Sequence, residues 1–132
     1  MACIYVYSPS GAVRDRAGLR RALRRLQAAG HEVVLDEAAL ARHQRFAGDD
    51  GTRLEAIARA AASGADVALT TRGGYGLTRL LPRLPYEAID AAARRGMAGV
   101  GLSDFTALQL AALAQRGTPT WAGPALLEDW AG

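Results

Sequence analysis

The segment Gly99-Val100-Gly101-Leu102-Ser103-Asp104-Phe105-Thr106 sets a serine between an apolar run and the start of a helical pattern. A serine on a sharp strand-to-helix turn has its hydroxyl held out at the edge of a sheet. The N–H of the next residue, here Asp104, then stands at a helix N-terminus, where it can donate to an oxyanion. The helix dipole favours the same negative charge. A plainer alternative is that Ser103 only caps the helix, as serines commonly do. The segment reads Gly-x-Ser-Asp and does not match the Gly-x-Ser-x-Gly elbow of the α/β-hydrolases.

A second chemical signal is Arg72-Gly73-Gly74-Tyr75-Gly76, with three glycines in four positions after Arg72. Glycines permit positive φ and let backbone approach a ligand closely. The segment is neither a full Gly-x-Gly-x-x-Gly nor a P-loop, because no Lys-Ser/Thr follows, so it is a weak nucleotide signature. It makes geometric sense as a second source of oxyanion N–H groups, from Gly73 and Gly74, if it leaves the same sheet edge as Ser103. Arg72 has two readings, a guanidinium that holds a substrate carboxylate or one that braces the loop. Tyr75 and Ser10 are further candidates for touching substrate.

Other reactive side chains are few. Cys3 is the only cysteine and lies in an apolar strand pattern, so a buried, unreactive thiol is expected. His31 and His43 are the only histidines, no Cys or His pair has ligand spacing, and neither a metal nor a cofactor is expected.

The elements that must position these residues alternate along the chain. Cys3–Tyr7 reads as a buried strand closed by Ser-Pro-Ser-Gly, and a helix runs from Asp15 to about Ala29, stopped at Gly30. Strands are predicted at Glu32–Leu35, Asp66–Thr71, Met97–Gly101 and Pro119–Trp121. Helices are predicted at about Thr52–Ala62, from Leu77 to near Pro82, at Tyr86–Arg94 and from Asp104 to Gln115. In the second helix, Leu54, Ile57, Ala58 and Ala61 repeat at helical spacing. This alternation requires crossovers, hence an open, doubly wound parallel sheet of four to five strands with helices on both faces, flavodoxin- or Rossmann-like. In such a sheet the ligand lies beyond the carboxyl ends of the strands. The loops Ser8–Val13, Asp36–Asp50, Arg72–Gly76 and Leu102–Asp104 should share that edge. His31 precedes the second strand and belongs to the opposite edge, about 17 Å away for a five-residue strand. It is thereby removed as a partner for Ser103. His43 lies in a loop on the correct edge, but nothing orients it.

Length and charge exclude several classes. With 132 residues, one domain is expected over positions 1–132. No apolar run approaches the roughly 20 residues of a membrane span, and the first residues lack the pattern of a signal peptide. A cytoplasmic protein without membrane contact is the reading. The net charge is +3, and every one of the sixteen basic residues is arginine. Arg20, Arg21, Arg24 and Arg25 fall on the solvent side of one helix whose Leu19, Leu23 and Leu26 face inward. No aromatic residues interleave them, which argues against nucleic-acid binding.

Taken together, Arg72-Gly73-Gly74-Tyr75-Gly76 with Arg79-Leu80-Leu81, and Gly101-Leu102-Ser103-Asp104-Phe105-Thr106-Ala107-Leu108, resemble the murein LD-carboxypeptidase family. Ser8-Pro9-Ser10-Gly11, Arg45-Phe46-Ala47-Gly48 and Gly123-Pro124 agree in order through essentially the whole chain. The resemblance implies a serine peptidase that removes the terminal D-alanine from murein tetrapeptide during cell-wall recycling. It implies Ser103 as nucleophile, and the N–H groups of Asp104 and of Gly73-Gly74 as the oxyanion hole. It also implies a Ser-His-Glu triad whose Glu and His come from a C-terminal domain that this chain does not contain. The chain alone is therefore expected to be inactive, and a homodimer is expected. A murein-peptide or small-ligand binding module without catalysis is the alternative. Trp121, Leu126, Leu127 and Trp130 are expected to form an exposed apolar patch at the domain junction.

Overall fold

The computed structural model describes residues 1–131, the side chain of Glu128 apart. Five strands, β1 (Cys3–Tyr7), β2 (Glu32–Leu35), β3 (Val67–Thr70), β4 (Ala98–Gly101) and β5 (Trp121–Ala122), form one sheet in the order β2-β1-β3-β4-β5. Every pairing is parallel, with Tyr5 opposite Val34 on one side and Ala68 on the other. Six α-helices accompany them: α1 (Arg16–Ala28), α2 (Asp50–Ala62), α3 (Leu77–Leu80), α4 (Tyr86–Arg94), α5 (Phe105–Arg116) and α6 (Leu126–Trp130). A 3-10 turn, Leu81–Arg83, follows α3.

Side chains alternate along a strand, and the two cores follow that period. Tyr5, Tyr7 and Ala68 point to one face, where they meet Ile57, Ala60, Leu77, Leu80, Phe105 and Leu108 from α2, α3 and α5. Ile4, Val6, Leu69 and Val100 point to the other, against Leu19, Ala22 and Leu26 of α1 and Leu126 of α6. Helices thus cover both faces, as the predicted fold class requires.

The strand order reverses between β1 and β3, so the loops after these strands diverge and leave a crevice at the carboxyl edge. Helix starts are fixed by side chains. Asp15 accepts the Gly18 N–H at 2.8 Å before α1, and Asp49 accepts the Thr52 N–H at 2.8 Å before α2. Behind β1, the buried Asp36 carboxylate takes two bonds from Arg59, at 2.8 and 3.0 Å, and one from the Tyr5 hydroxyl. Burial alone would raise that carboxyl, but the bonds from Arg59, Tyr5 and the Ala38 N–H outweigh it and hold it below its ordinary value. The Tyr5 phenol moves the other way, pushed up to about 12 by burial and then by Asp36.

The chain end differs from expectation. Leu126 is fully buried, and Leu127 and Trp130 pack on the α1 core, so only Trp121 of the four expected surface residues is exposed. The reason is α6, a short helix that the sequence reading lacked. Arg21 and Arg25 of α1 donate to the Ala131 and Trp130 carbonyls at 3.0 and 2.7 Å, and this holds the segment against the sheet. The last strand also starts two residues later than predicted, ends one later and is only two residues long. Cys3 is half-buried, not buried. Its thiol is raised by desolvation and by Glu32 and Asp66, which keeps it unreactive.

Candidate active site at the carboxyl edge

Ser103 follows β4 directly and has φ 60°, the left-handed region that non-glycine residues avoid. Its carbonyl accepts the Thr106 N–H at 2.9 Å, so the turn runs straight into α5. The side chain is exposed. Its hydroxyl makes no capping bond: the cap position belongs to Asp104, which makes no side-chain cap bond either. The capping role is therefore not the one the serine plays. The turn is tight because β4 ends in glycine. A Cβ on Gly101 would lie 2.7 and 2.8 Å from the Phe105 ring and 2.9 Å from the Thr70 hydroxyl. Only glycine lets Phe105 fold beneath the strand end and start the helix there.

The loop after β3 lies against this turn. A Cβ on Gly73 would come within 2.9 Å of the Ser103 Cβ and 3.2 Å of its Oγ, so backbone occupies the space beside the hydroxyl. The Asp104 carboxylate accepts the Leu77 N–H at 3.1 Å and ties the loop's far end to the same turn. On the other side, the Gly73 carbonyl accepts the Gly11 N–H at 3.0 Å. The N–H groups of Gly73, Gly74 and Asp104 donate to nothing among the described residues. Three unengaged donors thus lie in the two segments that meet at an exposed hydroxyl, at the positive end of a twelve-residue helix. Ser103, Asp104, Gly73 and Gly74 lie together at the carboxyl edge.

Arg72 and Tyr75 belong to an adjoining concavity. The Arg72 guanidinium donates to the Ala12 carbonyl at 3.1 Å and so braces the loop, while still lining a hollow with Gly11, Arg14, Arg45, Gly74 and Tyr75. Tyr75 is exposed, and the Arg45 guanidinium lies 5.6 Å from its ring centroid. Ser10 is buried beneath these loops. Its carbonyl accepts the Ala47 N–H at 3.0 Å, and its hydroxyl has no partner among the described residues. Neither histidine stands beside Ser103. His31 accepts the Ala2 N–H at 3.2 Å on the amino edge, and His43 lines a different hollow with Asp49, Asp50, Arg79 and Arg83.

One residue of the edge escaped the sequence reading. Arg53 of α2 is fully buried, bonded to the Pro9 carbonyl at 3.2 Å and to Asp50 at 2.9 Å, with its guanidinium 4.8 Å from the centroid of the Phe46 ring. A Cβ on Gly76 would collide with the same guanidinium. Desolvation pulls the group below its ordinary value, opposed by Asp50. Arg79 and Arg83 also bind Asp50, at 3.1 and 3.2 Å. The glycine at 76 was the available signal, since a loop glycine can mark what packs against it.

Residues 4–123 match the sequence profile of the LD-carboxypeptidase N-terminal domain, Peptidase_S66. The chain belongs to that family. A Streptomyces coelicolor protein named as a carboxypeptidase is 35% identical over 125 residues, which cover 92% of this chain and 39% of that protein. Among solved structures, the muramoyltetrapeptide carboxypeptidase of Oxalobacter formigenes is 34% identical with a TM-score of 0.81, covering 98% of this chain and 42% of the other. The microcin C7 self-immunity protein MccF, in complex with aspartyl sulfamoyl adenosine, is 26% identical with a TM-score of 0.90, covering 98% and 39%. The chain therefore spans about two fifths of the length of these relatives. Among the described residues no helix is long and apolar enough to cross a membrane.

Proposed function

We propose that this chain supplies the nucleophile and oxyanion-binding half of a serine-type LD-carboxypeptidase, which releases the terminal D-alanine of a murein tetrapeptide in the cytoplasm. The observation that carries the reading is the Ser103 turn: an exposed serine at φ 60° between β4 and α5, packed on Gly73, with unengaged N–H groups at Gly73, Gly74 and Asp104. The Oxalobacter relative's name supports the substrate class.

In this mechanism the Ser103 Oγ attacks the scissile carbonyl, and the oxygen that becomes negative accepts from Asp104 and the Gly73-Gly74 segment. The proton of Oγ needs a base. His31 and His43 are not placed to take it, and the family resemblance assigns that role to a Glu-His pair on a second domain. A hydroxyl without a positioned base is a poor nucleophile, although an oxyanion hole alone can exceed water by roughly 10³-fold.

The test is D-alanine release from murein tetrapeptide by the chain with and without a family C-terminal domain supplied in trans. Turnover is expected only with the added domain and should vanish in Ser103→Ala. A Ser103→Ala variant that keeps full turnover would remove the serine mechanism. Tetrapeptide binding with no turnover in either arrangement would favour a binding module. The MccF match, with its higher TM-score, favours a second reading in which an acylated nucleotide is the substrate. Preferential turnover of aspartyl sulfamoyl adenosine in the same assay would support it.

A further inference from the structure

Among the described residues, six arginines pair with aspartates: Arg21, Arg53, Arg59, Arg79, Arg83 and Arg94. Arg14, Arg45 and Arg72 do not pair with any carboxylate among the described residues, yet they converge on one hollow. They arrive from three separate loops, those after β1, between β2 and α2, and after β3. The hollow is about 240 Å³, several times the roughly 30 Å³ share of a liquid water, and no acidic residue lines it. Guanidinium groups keep their charge at physiological pH and match carboxylate geometry. Three of them around one space, with no counter-charge, leave an unneutralised positive field.

The hollow is built by the backbone. The Ala12 N–H donates to the Arg45 carbonyl at 2.9 Å, the Gly11 N–H to the Gly73 carbonyl at 3.0 Å, and the Arg72 guanidinium to the Ala12 carbonyl at 3.1 Å. Tyr75 holds the Arg45 guanidinium over its ring. These ties also fix the distance to the nucleophile. Gly74 lines the hollow, and the glycine before it touches Ser103. Adjacent Cα atoms are about 3.8 Å apart, so a residue that lines the hollow stands one chain position from the residue packed on Ser103. In a substrate cut one residue from its end, the free carboxylate lies the same single residue beyond the scissile carbonyl.

We propose that Arg14 and Arg45, with Arg72 behind them, form an anion subsite that takes the free terminal carboxylate of the residue that leaves. The assignment to the leaving residue rests on the hydrolase reading, whereas the preference for a carboxylate can be measured without catalysis. The subsite gives the edge its exopeptidase character: a chain that continues past the leaving residue, or one whose terminus is amidated, brings no charge to the hollow.

The experiment is a titration of the ¹⁵N-labelled 132-residue chain with N-acetyl-L-alanyl-D-alanine, its C-terminal amide, and inorganic phosphate, followed at the Gly11, Gly74 and Tyr75 amides. The free acid should bind at least about tenfold tighter than the amide, a difference of about 1.4 kcal/mol. The Arg14→Gln/Arg45→Gln double variant should lose that preference. An Arg20→Gln/Arg24→Gln variant, which removes the same charge from the exposed face of α1, should keep it. Equal binding of acid and amide, equal loss in both double variants, or shifts confined to other amides would each overturn the subsite. Phosphate binding tighter than the acid at these amides would overturn the carboxylate assignment. Failure of D-alanine release in the reconstituted assay would leave this titration untouched, so the two readings fail separately.

Discussion

Replacing Ser103 by glycine should make the protein more stable while removing the hydroxyl on which the proposed function depends. A non-glycine residue at φ 60° stores roughly 1–2 kcal/mol of backbone strain, and glycine stores none. Glycine in turn loses more freedom on folding, a cost of about 0.5–1 kcal/mol. The Ser103 hydroxyl makes no bond among the described residues, so its removal costs nothing further. The net expectation is a gain of about 0.5–1 kcal/mol, or roughly 2–4 °C in Tm for a domain of this size. Ser103→Ala provides the control, because it removes the hydroxyl and keeps the strain, and its Tm should not rise. A third variant tests the packing. Gly73→Ala places a Cβ 2.9 Å from the Ser103 Cβ, so it should destabilise the native chain and cost markedly less in the Ser103→Gly background. Thermal unfolding of the variants decides the matter. Equal Tm values for Ser103→Gly and Ser103→Ala would show that the turn is not strained, and the argument from its geometry would fail.

Two further outcomes are expected. Asp36 is held below its unfolded value, so its contribution is present above about pH 4 and is lost as pH falls through the folded pKa. Asp36→Asn should therefore cost about 2 kcal/mol at pH 7, and its deficit against the native chain should narrow below about pH 4 in urea titrations. A deficit that stays constant down to pH 2 would refute the linkage. The chain is also expected to self-associate through the edge where Leu110, Leu113 and Trp121 are 63%, 56% and 65% exposed, since contiguous apolar surface tends to find a partner. Light scattering over a concentration series would read this directly, and a monomer at high micromolar concentration would rule it out.

The sheet was legible because its strands are short apolar runs between clear stops. Gly30, the Ser63-Gly64 pair and Gly117 mark where helices end, and the Ser103 and Gly73 loops follow strands as the fold class demands. What could not be read were contacts that depend on tertiary context. Arg53 stands between Thr52 and Leu54 in the first turn of α2 and carries no local sign that it is buried. Of the apolar repeat Leu54, Ile57, Ala58 and Ala61, Ile57 and Ala61 are buried and the other two half-buried, while Arg53, Ala56 and Ala60 also take the interior. Helix α6 is five residues long, too short to show a helical period, and its anchors are arginines of α1 that the charge pattern assigned to solvent. The φ of Ser103 is set by Gly101 and Phe105 acting together, a relation that spacing suggests but side-chain type does not encode.

The buried Arg53 reaches three segments of the carboxyl edge at once: the Pro9 carbonyl after β1, Phe46 and Asp50 before and at the start of α2, and the backbone at Gly76 after β3. Loops on a sheet edge ordinarily fluctuate one by one. Here they share a single inner fastening that water cannot reach, so loosening one strips partners from the others. The edge should exchange its amide hydrogens as one cooperative unit, with a protection set by this guanidinium rather than by the length of any loop.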